Sequence, residues 1–315
     1  MIARPFAYAL AAALLLAPLT AHAQFTVPAW AFPNTTPEIA PKPPYDSLVA
    51  LHLPNSTKSF SMLQLKDFFA VPDWFPGTHP PMPEIVSRGR KPNVFACGYC
   101  HLPDGGGRSE NALLAGMPVD YIVRQVADIR DGTRREAIPE WSLAVRMHTL
   151  SLSVTDAEVA EAARYFSKLK PRKRYIVVEA TNVPRTLEGG GLYVERAGGE
   201  TEPLGARIIE VTSDFYRHEL RDPQETFTAY VPVGSIARGR SLAKTCATCH
   251  GPTLRGLAMA PPIAGRSPLY MVRQLAAFRT GTRATSTSAP MQALTATLSI
   301  DDMIAVSAYA GSLKP

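Results

Sequence analysis

Two short runs carry the redox chemistry open to this chain: Cys97-Gly-Tyr-Cys100-His101 and Cys246-Ala-Thr-Cys249-His250. In a Cys-x-x-Cys-His run the two thiols lie close enough to bond both vinyl groups of one porphyrin. The adjoining imidazole then falls beneath the iron as an axial ligand. Cys97, Cys100, Cys246 and Cys249 are the only four cysteines, so none remains for a disulfide or a third site. The pattern predicts two covalently attached haem c groups, with His101 and His250 on the iron. A single zinc held by both pairs would need them about 15–20 residues apart, and here 149 residues separate Cys97 from Cys246. A thioredoxin-like pair has no need of a histidine directly after it, twice.

The elements that must position these motifs repeat along the chain. Tyr121-Ile-Val-Arg124-Gln125 running to Gly132-Thr-Arg134 matches Tyr270-Met-Val-Arg273-Gln274 running to Gly281-Thr-Arg283, at the 149-residue offset of the motifs themselves. Apolar residues at helical spacing with a glycine after each run predict a helix closed by a glycine cap. The repeat resumes at an offset of 144, where Met147, Leu150 and Thr155-x-x-Glu158 match Met291, Leu294 and Ser299-x-x-Asp302, so the first copy carries five extra residues before Met147. Thr155-x-x-Glu158 is a capping box and Ser299-x-x-Asp302 a weaker one; the helices they open stop near Pro171 and Pro315. Each copy reads as helix, haem motif, loop, helix, methionine loop, C-terminal helix.

Two blocks stand outside the repeat. Residues 24–83 form a proline-rich N-terminal arm, expected to pack on the domains, with Pro41-Lys42-Pro43-Pro44 and Pro72-Asp73-Trp74-Phe75-Pro76 as its signature. Residues 173–232 contain strand-like runs, Tyr175–Val178 and Ala206–Val211, separated by Gly189-Gly190-Gly191 and Gly198-Gly199. They predict a small β-containing connection. Residues 1–23 read as a signal peptide, with Arg4, an apolar run from Ala7 to Leu19 and Ala21-His22-Ala23 for cleavage. That apolar run is shorter than a spanning helix wants. Export suits haem c attachment, and a periplasmic protein with no integral membrane segment in its mature chain is expected. Of 315 residues, 33 are basic and 27 acidic; this mild positive charge could steer an acidic redox partner or serve only solubility.

Residues 84–172 and 233–315 resemble tandem class I cytochrome c domains, most closely the dihaem cytochrome c4 group. The haem motif, the Tyr-x-x-x-Gln helix closing in Gly-x-Arg, and a methionine ahead of a capped helix carry that resemblance. It implies a mainly α fold of two such domains, with the arm and the β-containing connection as departures, and a role in electron transfer. It implies a carbonyl in His101-Leu-Pro103 and in His250-Gly-Pro252 on the second imidazole nitrogen, fixing the ring. It also implies methionine ligands on the far side of each iron, placed by the repeat at Met147 and Met291. His148 is an alternative to Met147 for the first haem, although the repeat sets Gln292, a poor ligand, opposite it. Met117, Met259 and Met271 read as core or loop residues, and His79 as a structural or solvated loop histidine. Arg124, Arg134, Arg273 and Arg283 are candidates for haem propionates, since guanidinium suits a carboxylate; a solvated helix face is the rival reading.

The expected function is single-electron transfer between redox donor and acceptor proteins, with a periplasmic dehydrogenase as one candidate neighbour and no nucleic acid. Two alternatives remain: a haem enzyme of the dihaem peroxidase or thiosulfate dehydrogenase kind, and a dedicated cytochrome subunit of a dehydrogenase. An enzyme would need a displaceable sixth ligand, and the five-residue insertion before Met147 is the place to look for one. The Trp74-Phe75 stretch would suit docking to a partner or packing over a haem crevice.

Overall fold

The computed structural model describes residues 25–34, 48–257 and 260–315. The expected signal peptide, the Pro41–Pro44 run and Met259 lie outside the described residues.

The arm supplies a two-stranded ribbon, β1 (Leu51–His52) with β2 (Ser59–Phe60), and the short helix α1 (Met62–Leu65). It packs rather than extends: Leu53, Met62, Leu65 and Trp74 share a core with Leu220 of the connection. The Trp74 indole donates to the Leu220 carbonyl at 2.7 Å. Trp74 is therefore spent on packing and offers no docking surface.

The first haem-motif half holds α2 (Glu84–Ser87), α3 (Cys97–His101), α4 (Val119–Arg130), α5 (Ser142–Ser151) and α6 (Asp156–Ser167). The second holds α8 (Ser235–His250), α9 (Pro268–Thr280), α10 (Ala289–Thr295) and α11 (Ile300–Ser312). Both capping boxes form. Glu158 N donates to Thr155 Oγ1 at 3.3 Å while Thr155 N donates to the Glu158 carboxylate at 2.8 Å. Ser299 and Asp302 exchange the same pair of bonds at 3.1 Å each. Gly281 caps α9 at φ 73° and Gly132 follows α4 at φ 80°, a region that glycine enters without the Cβ penalty.

Two expectations need correction. The helix before the first motif is broken into α2 and α3: Gly89, at φ 64°, closes α2, and Arg90 and Val94 then pair across a turn. Its counterpart α8 runs unbroken for 16 residues into Cys246-x-x-Cys249-His250. Met147 and Met291 sit on helices α5 and α10 rather than in loops. Pro290 near the start of α10 is the local reason in the second half, since its fixed φ suits a first turn.

The connection is more elaborate than two strands. Strands β3 (Tyr175–Glu179), β5 (Thr186–Gly189), β6 (Leu192–Glu195), β8 (Ile209–Thr212) and β9 (Phe227–Val231) form a mixed sheet in the order β3-β9-β8-β6-β5. Strands β4 (Asn182–Pro184) and β7 (Thr201–Pro203) pair beside it, and α7 (Phe215–Glu219) bridges β8 and β9. Residues 206–208 stay outside the strand expected there. The sheet shares its main core with the halves: Ile209, Val211 and Val231 pack with Leu269 and Val272 of α9, Ile304 of α11, Trp141 before α5, and Phe32 of the arm, while Leu187, Leu192, Val194 and Phe215 form a small cluster within the connection.

Candidate functional site

One continuous cavity of about 1560 Å³ runs through both halves. Single-ligand pockets occupy roughly 300–1,000 Å³, so this space suits more than one ligand. Cys97, Cys100, His101, Met147 and His148 line it, as do Cys246, Cys249, His250 and Met291. Each motif thus opens onto the same space as the methionine that the repeat assigns to it.

Each motif histidine is held in the same way. His101 Nδ1 meets the Ala112 carbonyl at 2.8 Å, and His250 Nδ1 meets the Pro261 carbonyl at 2.8 Å, both eleven residues downstream. The expected carbonyls within His-x-Pro are therefore not the partners; the Pro103 carbonyl instead accepts the Tyr165 hydroxyl at 2.6 Å. The loop after each motif folds back and brings a later carbonyl beneath the ring, a return that local spacing does not encode. Burial lowers both imidazole pKa values, favouring the neutral ring that a metal binds. Burial also pushes the Cys97 thiol up to about 12 and raises Cys100 and Cys246. None of these three is an activated thiolate.

The side chain after Met147 is tied to the backbone. His148 Nδ1 meets the Ile129 carbonyl at 2.8 Å, and Gln292, its counterpart after Met291, donates to the Arg283 carbonyl at 3.4 Å. Both residues hold their short helix against the end of the helix before it. His79 bonds Asp73 at 3.1 Å and Tyr165 at 3.1 Å and does not line the cavity; Asp73 raises its pKa. Met117 and Met271 are buried in the cores of their own halves and also line the cavity, so the cavity wall alone does not set them apart from Met147 and Met291.

The four arginines singled out by the repeat separate here. Arg134 and Arg283 face each other across the halves on an isolated antiparallel bridge. Arg134 donates to Gln125 at 2.9 Å and to Tyr270 of the other half at 3.0 Å. Arg283 donates to Gln274 at 2.8 Å and to Tyr121 of the other half at 3.1 Å. Burial would push the Tyr121 phenol up, but Arg283 and Arg134 outweigh it and pull the pKa down. Arg124 lines the cavity with a buried Nε that has no protein partner, and so does Arg283. Arg273 departs from expectation. It is fully buried away from the cavity, where it donates to the Ala31 and Ser109 carbonyls at 3.1 and 2.9 Å and lies 4.8 Å from the Trp141 ring. Trp141 belongs to the longer first-half connection, so the insertion recruits Arg273 as a brace.

Arg266 is the residue that repeat logic misses. It is 4 % exposed and lines the cavity, and its Nη2 lacks a partner. Burial lowers its pKa to about 10. A buried guanidinium without an anion is costly, and carboxylates are its natural complement. The residue opposite it in the first copy is Met117, so duplication gave no signal. Unpaired guanidinium nitrogens on Arg124, Arg266 and Arg283 beside the two motifs fit a porphyrin with two carboxylates.

Residues 236–314 match the Cytochrome c family model. Cytochrome c4 of Azotobacter vinelandii is 27% identical over 219 residues, which are 68% of this chain and 82% of the relative. The thiosulfate dehydrogenase electron acceptor of Stutzerimonas stutzeri is 27% identical over 224 residues, 70% of this chain and 80% of the relative. Among solved structures, thiosulfate dehydrogenase (TsdBA) from Marichromatium purpuratum, in its as-isolated form, superposes with a TM-score of 0.47 at 24% identity. That match covers 72% of this chain and 38% of that one. A cytochrome c domain implies covalently bound haem c, and no helix among the described residues is long and apolar enough to cross a membrane. The chain carries a cytochrome c domain at residues 236–314 and resembles the cytochrome c4 group.

Proposed function

We propose that this chain is a periplasmic dihaem electron carrier. Cys97 and Cys100 would bond one haem c, Cys246 and Cys249 the other, with His101 and His250 as proximal ligands and Met147 and Met291 as distal ones. The observation that carries the reading is the single cavity onto which both motifs and both methionines open. Bound there, each haem c supplies a one-electron ferric/ferrous couple, and methionine ligation raises its potential relative to histidine. The chain's own residues hold and tune it. The carbonyls of Ala112 and Pro261 fix the proximal rings and raise their basicity. Arg124, Arg266 and Arg283 offer unpaired N–H groups to the propionates, and Arg134 lines the same stretch. Filled axial positions favour electron exchange over substrate chemistry. Residues 1–23 read as an export signal, which supports the periplasmic assignment. The electron acceptors of thiosulfate dehydrogenase among its relatives favour a dehydrogenase as the electron donor.

A second reading of the first haem rests on His148. With Nδ1 committed to the Ile129 carbonyl, Nε2 is the nitrogen left for a metal, as in His101 and His250. Near-infrared magnetic circular dichroism of the ferric protein, with haem quantified per chain, separates these readings. Two haems with methionine–histidine signals support the carrier as stated. A bis-histidine signal lost in His148→Ala moves the first ligand to His148. A high-spin haem overturns the carrier reading, and one haem per chain overturns the dihaem assignment.

A further inference from the structure

The two haem sites are closed to different degrees and carry different charge. At the first, residues from both non-repeating blocks form part of the wall. Leu65 and Phe68 come from the arm, and Phe215, Glu219 and Arg221 from the connection. Arg221 seals this cover by lying 3.5 Å over the Tyr99 ring and donating to the Tyr99 carbonyl at 2.7 Å. Phe68 packs 4.5 Å from both Phe95 and Tyr99. Tyr99, inside the first motif, is 3% exposed, while Thr248, its counterpart in the second, is exposed, as is Cys249. Leu65, Phe68 and Arg221 thus touch the first motif directly, at Tyr99.

The half that holds the more open site is also the more basic one. Residues 84–172 carry thirteen basic and eleven acidic side chains; residues 233–315 carry nine basic and only two acidic. No Asp or Glu occurs between Glu225 and Asp301. Exposed cations lie on α8 ahead of the motif and in the loop after it, while Arg238, at the start of α8, is paired with Asp302. Arg240, Lys244 and Thr248 are exposed at four-residue spacing along α8, one helical face that ends beside Cys249. Arg255 donates to the Lys314 carbonyl at 3.3 Å, so these two exposed cations are neighbours. Leu257, 57% exposed, adds an apolar spot in the same loop.

Resting on the carrier reading, we propose that the second haem site is the docking port of this chain. Its partner is an acidic one-electron redox protein, held by the Arg240–Lys244 face of α8 and the Arg255–Lys314 edge. The first site, roofed by the arm and α7, exchanges electrons through the molecule rather than with a docked protein. One electron crosses per encounter, with no bond made or broken; the partner is oxidised as the cytochrome is reduced, or the reverse.

The test oxidises the ferrous holoprotein with hexacyanoferrate(III), a trianion, and with tris(phenanthroline)cobalt(III), a trication. Electrostatic steering changes association rates about 10–10³-fold. The double variant Arg240→Glu/Lys244→Glu should therefore slow the anionic oxidant about tenfold and speed the cationic one. Arg164→Glu/Lys168→Glu, the same charge change at the same spacing on exposed positions of α6 and its C-cap, should shift either rate less than about twofold, its charges lying away from the port. Equal effects of the two doubles, or a larger effect at α6, overturn the port. The second readout is carbodiimide coupling of the wild-type holoprotein to an acidic plastocyanin. Coupling at Lys244 and Lys314 supports the port, and coupling chiefly at first-half lysines overturns it. The carrier reading fails separately, by a high-spin haem or by no reversible oxidation of either haem.

Discussion

Glu210 is the buried residue with the sharpest titration consequence. It is fully buried on β8 and accepts hydrogen bonds from Ser109 Oγ at 2.6 Å and from Ser267 Oγ at 2.8 Å. It thereby ties the first half, the connection and the start of α9 together. Burial raises its pKa from 4.5 to about 7, although both serines favour the charged form. A carboxyl whose folded pKa is raised binds a proton in the native state that the unfolded chain has already lost. Its contribution is fully present below pH 4.5 and is lost as pH rises through about 7. A shift of this size corresponds to about 3 kcal/mol. Urea unfolding of the wild type should show stability falling over that window, and Glu210→Gln should flatten this part of the curve. At the iron, Met291→Ala should convert the second haem to high spin without loss of covalent haem, because the thioethers and His250 remain. Unchanged low-spin spectra would show that Met291 is not the ligand.

At the scale of elements, helix ends and one crossing govern the second half. A Cβ on Gly239 of α8 would lie 1.9 Å from the Ala305 carbonyl oxygen of α11 and 2.8 Å from Tyr309 Cβ. Only glycine permits this backbone approach, since neither carbonyl nor helix can yield locally. Gly239→Ala should lower stability by at least the roughly 1–3 kcal/mol of an overpacked core, read as a fall in the thermal midpoint. Thr155→Ala removes the oxygen that accepts the Glu158 N–H at the start of α6; the expected loss is about 1 kcal/mol. The Arg90 ion pair to Glu158, with Nε to Oε1 at 2.8 Å, is more than half exposed on the arginine side, and such pairs contribute little. Elements of this kind were legible beforehand. Thr155-x-x-Glu158, Ser299-x-x-Asp302 and the glycines after α4 and α9 act within one turn, so their chemistry is written locally. The break before α3 was missed, although Gly89, which closes α2, is an equally local signal.

For the molecule as a whole, the crossed arginines form the seam. Arg134 and Arg283 each bond a glutamine of their own half and a tyrosine of the other. The insertion before α5 reinforces the seam, with Gln274 donating to Glu136 at 2.8 Å and the Trp141 indole to the Pro33 carbonyl at 3.1 Å. Arg283→Met should cost about 1–3 kcal/mol, the penalty for polar partners left buried and unsatisfied. Because Arg283 also lines the cavity, the same variant should lower the potential of at least one haem in a spectroelectrochemical titration, as a nearby cation favours the reduced state. Loss of stability with unchanged potentials would leave Arg283 a purely structural clasp.

The residues whose chemistry is covalent or local could be read directly. Cys97, Cys100, Cys246 and Cys249, with their histidines, carry the proposed haem attachment because porphyrin dimensions set their spacing. The repeat then named Met147, Met291 and the Gly-x-Arg pair, because two copies under one constraint keep the same types at the same offsets. Contacts between segments distant in sequence had no such signature. The carbonyls beneath His101 and His250, the withdrawal of Arg273 into a brace, the unpaired Arg266 opposite Met117, and the roof that α7 lays over the first motif were decided by tertiary folding. Each depends on which apolar faces bury together, and a sheet whose main core is shared must settle on the faces the two halves leave open.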